Sequence, residues 1–176
     1  MKKELKNNNK NEGGDGKINI HAVPKIEKVV INVGVGKNRD DSNYKEAVIN
    51  DLMAITGQRP HECRAKKSVA GFNVRKGNVI GYRVTLRGQR RDDFTDRFIG
   101  MALPRVRDFR GIKMSSFDGN GNLSIGIEEQ LAFPEIRADK TEVVFGLQVT
   151  FITTASNDEQ GESLLRKLGF PLEERQ

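Results

Sequence analysis

Between Val143 and Thr154 apolar and polar side chains alternate. Phe145, Leu147, Val149 and Phe151 take one set of positions, and Gln148 and Thr150 lie between them. Successive side chains of a β-strand point to opposite faces. The run therefore predicts a strand with one face turned to a core and the other to solvent. The same division recurs upstream. From Ile26 to Val35, Val29, Ile31 and Val33 share one side and Lys28, Val30 and Asn32 the other; in Tyr82–Gly88, Tyr82, Val84 and Leu86 oppose Arg83, Thr85 and Arg87. Three strands thus build one sheet with a covered face and a polar face.

The segments between them supply the cover. Asp40, Asp41 and Ser42 are N-cap candidates for a helix running to about Thr56, with Tyr44, Val48, Leu52 and Ile55 at helical spacing and Gly57 as its stop. A second helix opens at Asp92 or Asp93, carries Phe94, Phe98 and Met101, and is limited by Pro104. A third spans Asp158–Leu168 and is ended by Gly169 and Pro171. A short extended piece lies around Arg59–Ala65, and Leu123–Ile127 alternates like a strand. Residues 66–81 are basic and punctuated by Gly71, Gly77 and Gly81, which reads as a long exposed loop. Residues 105–122 and 129–141 are irregular. The connections do not suit a doubly wound parallel sheet. The order predicts an α+β domain: a mostly antiparallel sheet with helices on one face, a ferredoxin/RRM-like sandwich with a basic loop. Residues 1–17, rich in Asn, Lys and Gly, read as a disordered tail, and 18–176 as a single domain.

The net charge is +6, but it is unevenly placed. Residues 59–113 hold 15 Lys/Arg against 5 Asp/Glu, a net of +10, and residues 114–176 hold 5 against 11, a net of −6. Eleven of the 15 central cations are arginine, whose planar fork suits phosphate oxygens and base stacking. An ordinary antiparallel sheet also presents a polar face to water. The RNA reading is favoured because the arginines continue from the strand into the flanking loops. Hydroxyl and amide groups reach 2′-OH groups, and the face lacks the aromatic pair of a single-strand stacking platform, so a folded RNA fits best.

Other chemistries find little footing. Gly34-Val35-Gly36-Lys37 follows a strand, but a phosphate loop needs four residues between its glycines, and a dinucleotide fingerprint needs glycine where Arg39 stands. His61 and Cys63 point the same way in a strand, without a constellation around them. One cysteine and two histidines cannot make a four-ligand zinc site. No apolar run approaches the ~20 residues of a membrane span, and the charged N-terminus lacks the apolar stretch of a signal peptide. The expectation is a cytoplasmic, non-catalytic protein with no cofactor, no membrane partner and no small-molecule substrate.

Several segments fall in the order of one family: INVGVGK (31–37), ITGQRP (55–60), KKSVAGFNVRKGNVIGYRVTLRG (66–88), LPRVRDFRG (103–111), SFDGNGN (116–122) and Phe133-Pro134-Glu135-Ile136. Over roughly residues 22–172 the chain resembles the universal large-subunit ribosomal protein family that binds 5S ribosomal RNA. The resemblance implies a sheet face docked on 5S rRNA within the central protuberance. It also implies an extended loop near the P-site tRNA, and contacts with 23S rRNA, other central-protuberance proteins and the thirteenth small-subunit protein. Carried onto this chain, it implies a 5S rRNA-binding set of Asn32, Gln58, Arg59, Arg64, Lys66, Lys67, Arg83, Thr85 and Arg87. The tRNA-facing loop is Ser68, Val69, Ala70, Gly71, Phe72, Asn73, Val74, Arg75, Lys76 and Gly77. Arg105, Arg107, Arg110, Phe117, Asp118, Asn120 and Asn122 would lie near large-subunit RNA and the bridge. Bacterial members usually carry an N-terminal helix before Val23-Pro24; here the Asn/Gly-rich segment stands in its place, as in a reduced form of the protein.

Overall fold

The computed structural model describes residues 23–173 except Lys37, Arg39 and Glu142. The N-terminal tail, the position of the family's first helix, and Lys37 of the glycine turn lie outside the described residues. The elements run β1 (Ile26–Gly34), α1 (Ser42–Thr56), β2 (His61–Arg64), β3 (Val79–Leu86), α2 (Gln89–Arg97), β4 (Leu123–Ile127), β5 (Leu147–Thr153) and α3 (Asp158–Lys167).

The five strands form one sheet in the order β2-β3-β1-β5-β4, and neighbouring strands pair antiparallel. The first four positions follow the ferredoxin-like arrangement, and β4 extends the sheet beyond β5. The expected α+β sandwich is the observed fold. Val29, Ile31, Val33, Val84, Leu86, Val149 and Phe151 are at most 1% exposed. They meet Val48, Leu52 and Ile55 of α1, Phe94 of α2 and Leu165 of α3 in a single core. Five phenylalanines bind its far half together, with Phe98 and Phe151 ring centres 5.4 Å apart and Phe151 and Phe170 edge-on at 4.9 Å.

Local chemistry explains the boundaries. The Asp41 carboxylate accepts from the Asn43 and Tyr44 amides and so caps α1, and Gly57 ends that helix in the left-handed region at φ 65°. Helix α2 starts at Gln89, ahead of the expected aspartates, because Gly88 at φ 58° turns the chain directly out of β3. Asp92 then sits in the first helical turn, where a negative charge suits the exposed amides. Met101 is exposed although the spacing placed it inward. A wide π-turn over Phe98–Ala102, closed by the Leu103 amide on the Phe98 carbonyl, shifts the phase and buries Ala102 and Leu103 instead.

Two strands differ in length from the reading. β3 begins at Val79, so Val79–Gly81 belong to the sheet and the loop is shorter. β5 begins at Leu147. The preceding stretch is held by the buried Gln130 side chain, whose Nε2 donates to the Val143 carbonyl (2.6 Å) and whose Oε1 accepts from the Phe145 amide (2.9 Å). A side chain thus replaces the strand partner there.

Candidate nucleic-acid interface

The face away from the helices is organised in rows fixed by strand register. His61 pairs with Arg83, Arg83 with Asn32, Asn32 with Gln148, and Gln148 with Gly126. One step along, Thr85, Val30, Thr150 and Ser124 pair in turn. The Ser124 and Thr150 hydroxyls are 3.0 Å apart. Lys28 opposes Ile152, and Arg87 continues the outward set just past β3. Lys28, Val30, Arg83, Thr85, Arg87, Thr150 and Ile152 line one groove on this face. The floor is therefore amide, hydroxyl and β-branched aliphatic, and three cations stand along one side.

Those cations are not equivalent. Among the described residues Arg83 has no carboxylate partner, and it is exposed. Arg87 Nη1 donates to Glu27 Oε1 at 3.2 Å, and Lys28 Nζ approaches the same oxygen at 3.5 Å. The Glu27 carboxyl is held below the usual carboxylate range, first by the Arg87 hydrogen bond and then by the charge of Lys28. Glu27 is the extra residue of a bulge, since the β1–β5 register shifts between Ile26 and Lys28. In a regular strand without the bulge Ile26, which is buried, would share a face with Lys28.

Several basic residues hold the fold rather than offering themselves to a ligand. Arg91 Nη1 donates to the Ile26 carbonyl at 2.6 Å, securing the bulge from α2. Arg97 donates to the Ile55 carbonyl at 3.2 Å and pairs with Glu135 at 3.1 Å, tying the end of α1 to the Pro134 loop. Arg59 and Arg64 line a pocket at the β2 edge with Ile49, Pro60, His61, Glu62 and Tyr82, and Arg64 pairs with Glu62 at 2.9 Å. Gln58 is half-buried, with its backbone tied to the Thr56 hydroxyl.

The segment from Lys66 to Gly77 forms a small hairpin. Its base is closed by the Ala65 amide on the Asn78 carbonyl (2.8 Å) and the Gly77 amide on the Ala65 carbonyl (2.9 Å). Val69 and Val74 exchange amides for carbonyls at 2.8 and 3.1 Å. The tip is a 3-10 turn over Ala70–Phe72, and Asn73 takes the left-handed conformation at φ 51°. Ser68 Oγ accepts from the Lys76 amide at 3.0 Å. Lys66, Lys67, Gly71, Arg75 and Lys76 are exposed, and Phe72 is 77% exposed. Phe72, Val69 and Val74 overhang a cleft against Val35, Tyr44 and Ile80, with Lys66 and Lys67 on its rim.

The third predicted cluster divides. Arg105 ends a 3-10 turn over Leu103–Arg105, Arg107 and Arg110 follow on irregular backbone, and all three are exposed, with Arg107 3.5 Å from Glu129. Asp118 and Asn122 build their own turn: Asp118 accepts from the Asn120 amide (2.9 Å), the Asn122 amide (3.1 Å) and the Asn122 side chain (2.8 Å). These bonds, that from the Asn122 side chain foremost, hold the Asp118 carboxyl below its ordinary value. Phe117 is half-buried against the core, which leaves exposed Asn120 at the apex.

His61 and Ser124 were absent from the predicted set, because only register brings them into the rows. Lys28, Gln148 and Thr150 follow from strand alternation. Glu27 follows from neither, since a bulge leaves no periodic signal.

The comparisons with known proteins agree over almost the whole described chain. Residues 19–75 match the family described as "Ribosomal protein L5" and residues 79–172 match "ribosomal L5P family C-terminus". A protein named large ribosomal subunit protein uL5 from Carboxydothermus hydrogenoformans is 56% identical over 149 residues, covering 85% of this chain and 83% of its own length. Its namesake from Desulforamulus reducens is 54% identical over 153 residues, covering 87% and 84%. That from Chloroflexus aggregans is 55% identical over 152 residues, covering 86% and 84%. With both halves matched in order, and relatives above half identity across most of their length, the chain belongs to the ribosomal protein L5 family.

Proposed function

We propose that this non-enzymatic member of the family, a structural constituent of the large ribosomal subunit, binds 5S rRNA through its helix-free sheet face and helps attach it in the central protuberance. The observation that carries the reading is the set of register-fixed rows. Arg83, Asn32 and Gln148 lie side by side, and Thr85, Thr150 and Ser124 lie beside them. Guanidinium, amide and hydroxyl groups on a rigid lattice match the phosphates and 2′-OH groups of a folded RNA. Lys66 and Lys67 extend the positive surface at the hairpin's base. The hairpin from Ser68 to Gly77 contacts the P-site tRNA. The Arg105–Arg110 stretch and the turn at Asn120 meet 23S rRNA and the small subunit across a bridge that includes the thirteenth small-subunit protein. The protein works in the cytoplasm, within the ribosome, and needs no cofactor.

The test is capture of the tagged protein followed by sequencing of the bound RNA. Enrichment of 5S rRNA that is lost with Arg83→Ala supports the assignment. Enrichment of another RNA, or an Arg83→Ala protein that still enriches 5S rRNA fully, would overturn it.

A further inference from the structure

We propose that Glu27 is a specificity-determining residue of the sheet face, acting through Arg87; the inference rests on that face being the RNA-binding surface. The bulge in β1 brings Glu27 to the same side as Lys28, and Arg91 secures the bulge by donating to the carbonyls of Ile26 (2.6 Å) and Glu27 (3.4 Å). Glu27 Oε1 then accepts from Arg87 Nη1 at 3.2 Å. Both Lys28 and Arg87 line the groove of the face.

A carboxylate in this place calls for an explanation. The side chains of Glu27 and Arg87 are 47% and 59% exposed, and ion pairs this exposed add little to fold stability. On a surface that meets a polyanion, a negative charge also lowers attraction. Stability and affinity therefore both fail to account for it, and selectivity does. Glu27 offsets the charge by which Arg87 would draw in any phosphate. It also occupies one edge of the guanidinium, leaving the other donors in a held plane. An RNA with an acceptor placed for that plane keeps the contact; an RNA without one meets the carboxylate. Discrimination is a difference of affinities, and a feature that weakens wrong partners raises it. Arg83, with no carboxylate partner among the described residues, supplies general attraction instead.

The experiment measures binding of the full chain to 5S rRNA and to an unrelated folded RNA of equal length, across a salt series, for wild type, Glu27→Gln, Arg87→Gln and the double variant. Glu27→Gln is expected to tighten the unrelated RNA by about tenfold while leaving 5S rRNA within about twofold. The salt slope for the unrelated RNA should steepen by about 0.9, one further phosphate. The double variant should lose no more discrimination than Arg87→Gln alone, because Glu27 acts through that guanidinium. An unchanged ratio of affinities in Glu27→Gln overturns the proposal, including the case where both affinities shift by one factor. Additive losses in the double variant overturn it as well. If wild type shows no preference for 5S rRNA, the proposed function falls with it; if the preference is present and Glu27→Gln preserves it, only the role of Glu27 falls.

Discussion

The sheet face carries Lys28, Arg83 and Arg87, and the hairpin carries Lys66, Lys67, Arg75 and Lys76, so the two regions bring similar positive charge to bear on very different support. Behind the face, Val29, Ile31, Val84 and Val149 are at most 1% exposed, and each outward residue alternates with one of these anchors. In the hairpin no residue from Lys66 to Gly77 is buried, and backbone bonds, with the Ser68 hydroxyl contact to the Lys76 amide, define its shape. A surface of the first kind presents fixed spacings and suits a partner that stays. One of the second kind adjusts at the cost of a few exposed hydrogen bonds and suits a partner that exchanges.

The largest effect that bears on this contrast is salt. If the face and its flanks neutralise 6–10 phosphates, 5S rRNA affinity should fall about 10³–10⁵-fold between 50 and 200 mM salt. A filter-binding series checks it, and a flat response would remove the electrostatic account of the face. Next comes support from below. Phe98→Ala, at a fully buried ring, should cost about 3–5 kcal/mol of stability, whereas Phe72→Ala at the hairpin tip should stay within about 0.5. Denaturant melts of both variants measure this, and comparable losses would make the hairpin part of the core.

Charge removal separates the regions directly. Arg83→Ala should weaken 5S rRNA binding by about tenfold, the scale of one charge-assisted hydrogen bond. Arg75→Ala and Lys76→Ala should leave it within about twofold. Equal losses would merge the two surfaces into one. Hydrogen exchange offers a structural version: amides of β1 should exchange far more slowly than those of Val69 and Val74. The smallest effect is acid. Folding depresses the Asp118 carboxyl, so its contribution is present above the unfolded value and lost as pH falls through the folded one. The Asn120 and Asn122 amide resonances should therefore move only below about pH 4, and movement nearer neutrality would separate that turn from Asp118.

Alternation was enough to place the core-facing and outward residues of β1, β3 and β5, because a buried face imposes a strict period of two. Cap chemistry was enough for α1, where Asp41 and Gly57 fill the expected roles. Long-range geometry was less accessible. Register decides that His61 joins Arg83 and that Arg64 instead stands opposite Val79, and register is a property of paired strands rather than of one. The π-turn that exposes Met101 and the bulge that presents Glu27 are departures from periodicity, so a reading based on period passes over them. Asp118 and Asn122, expected near large-subunit RNA and the bridge, also bond to one another within a turn, a second role that spacing does not reveal because short polar side chains serve both ends equally well.

Gly121 and Gly161 touch so closely that a Cβ on Gly161 would stand 2.5 Å from the Gly121 carbonyl oxygen. The Asp158 carboxylate also accepts from the Gly121 amide at 2.8 Å. The turn ahead of β4 is thus seated on α3, and β5 fills the gap between β1 and β4. During synthesis the half-sheet β2-β3-β1 emerges first, carrying Arg83 and Asn32. The remaining rows wait for the last fifth of the chain. A nascent chain therefore displays its arginines well before it has the complete pattern of partners beside them, and full recognition of RNA belongs to the finished, released protein.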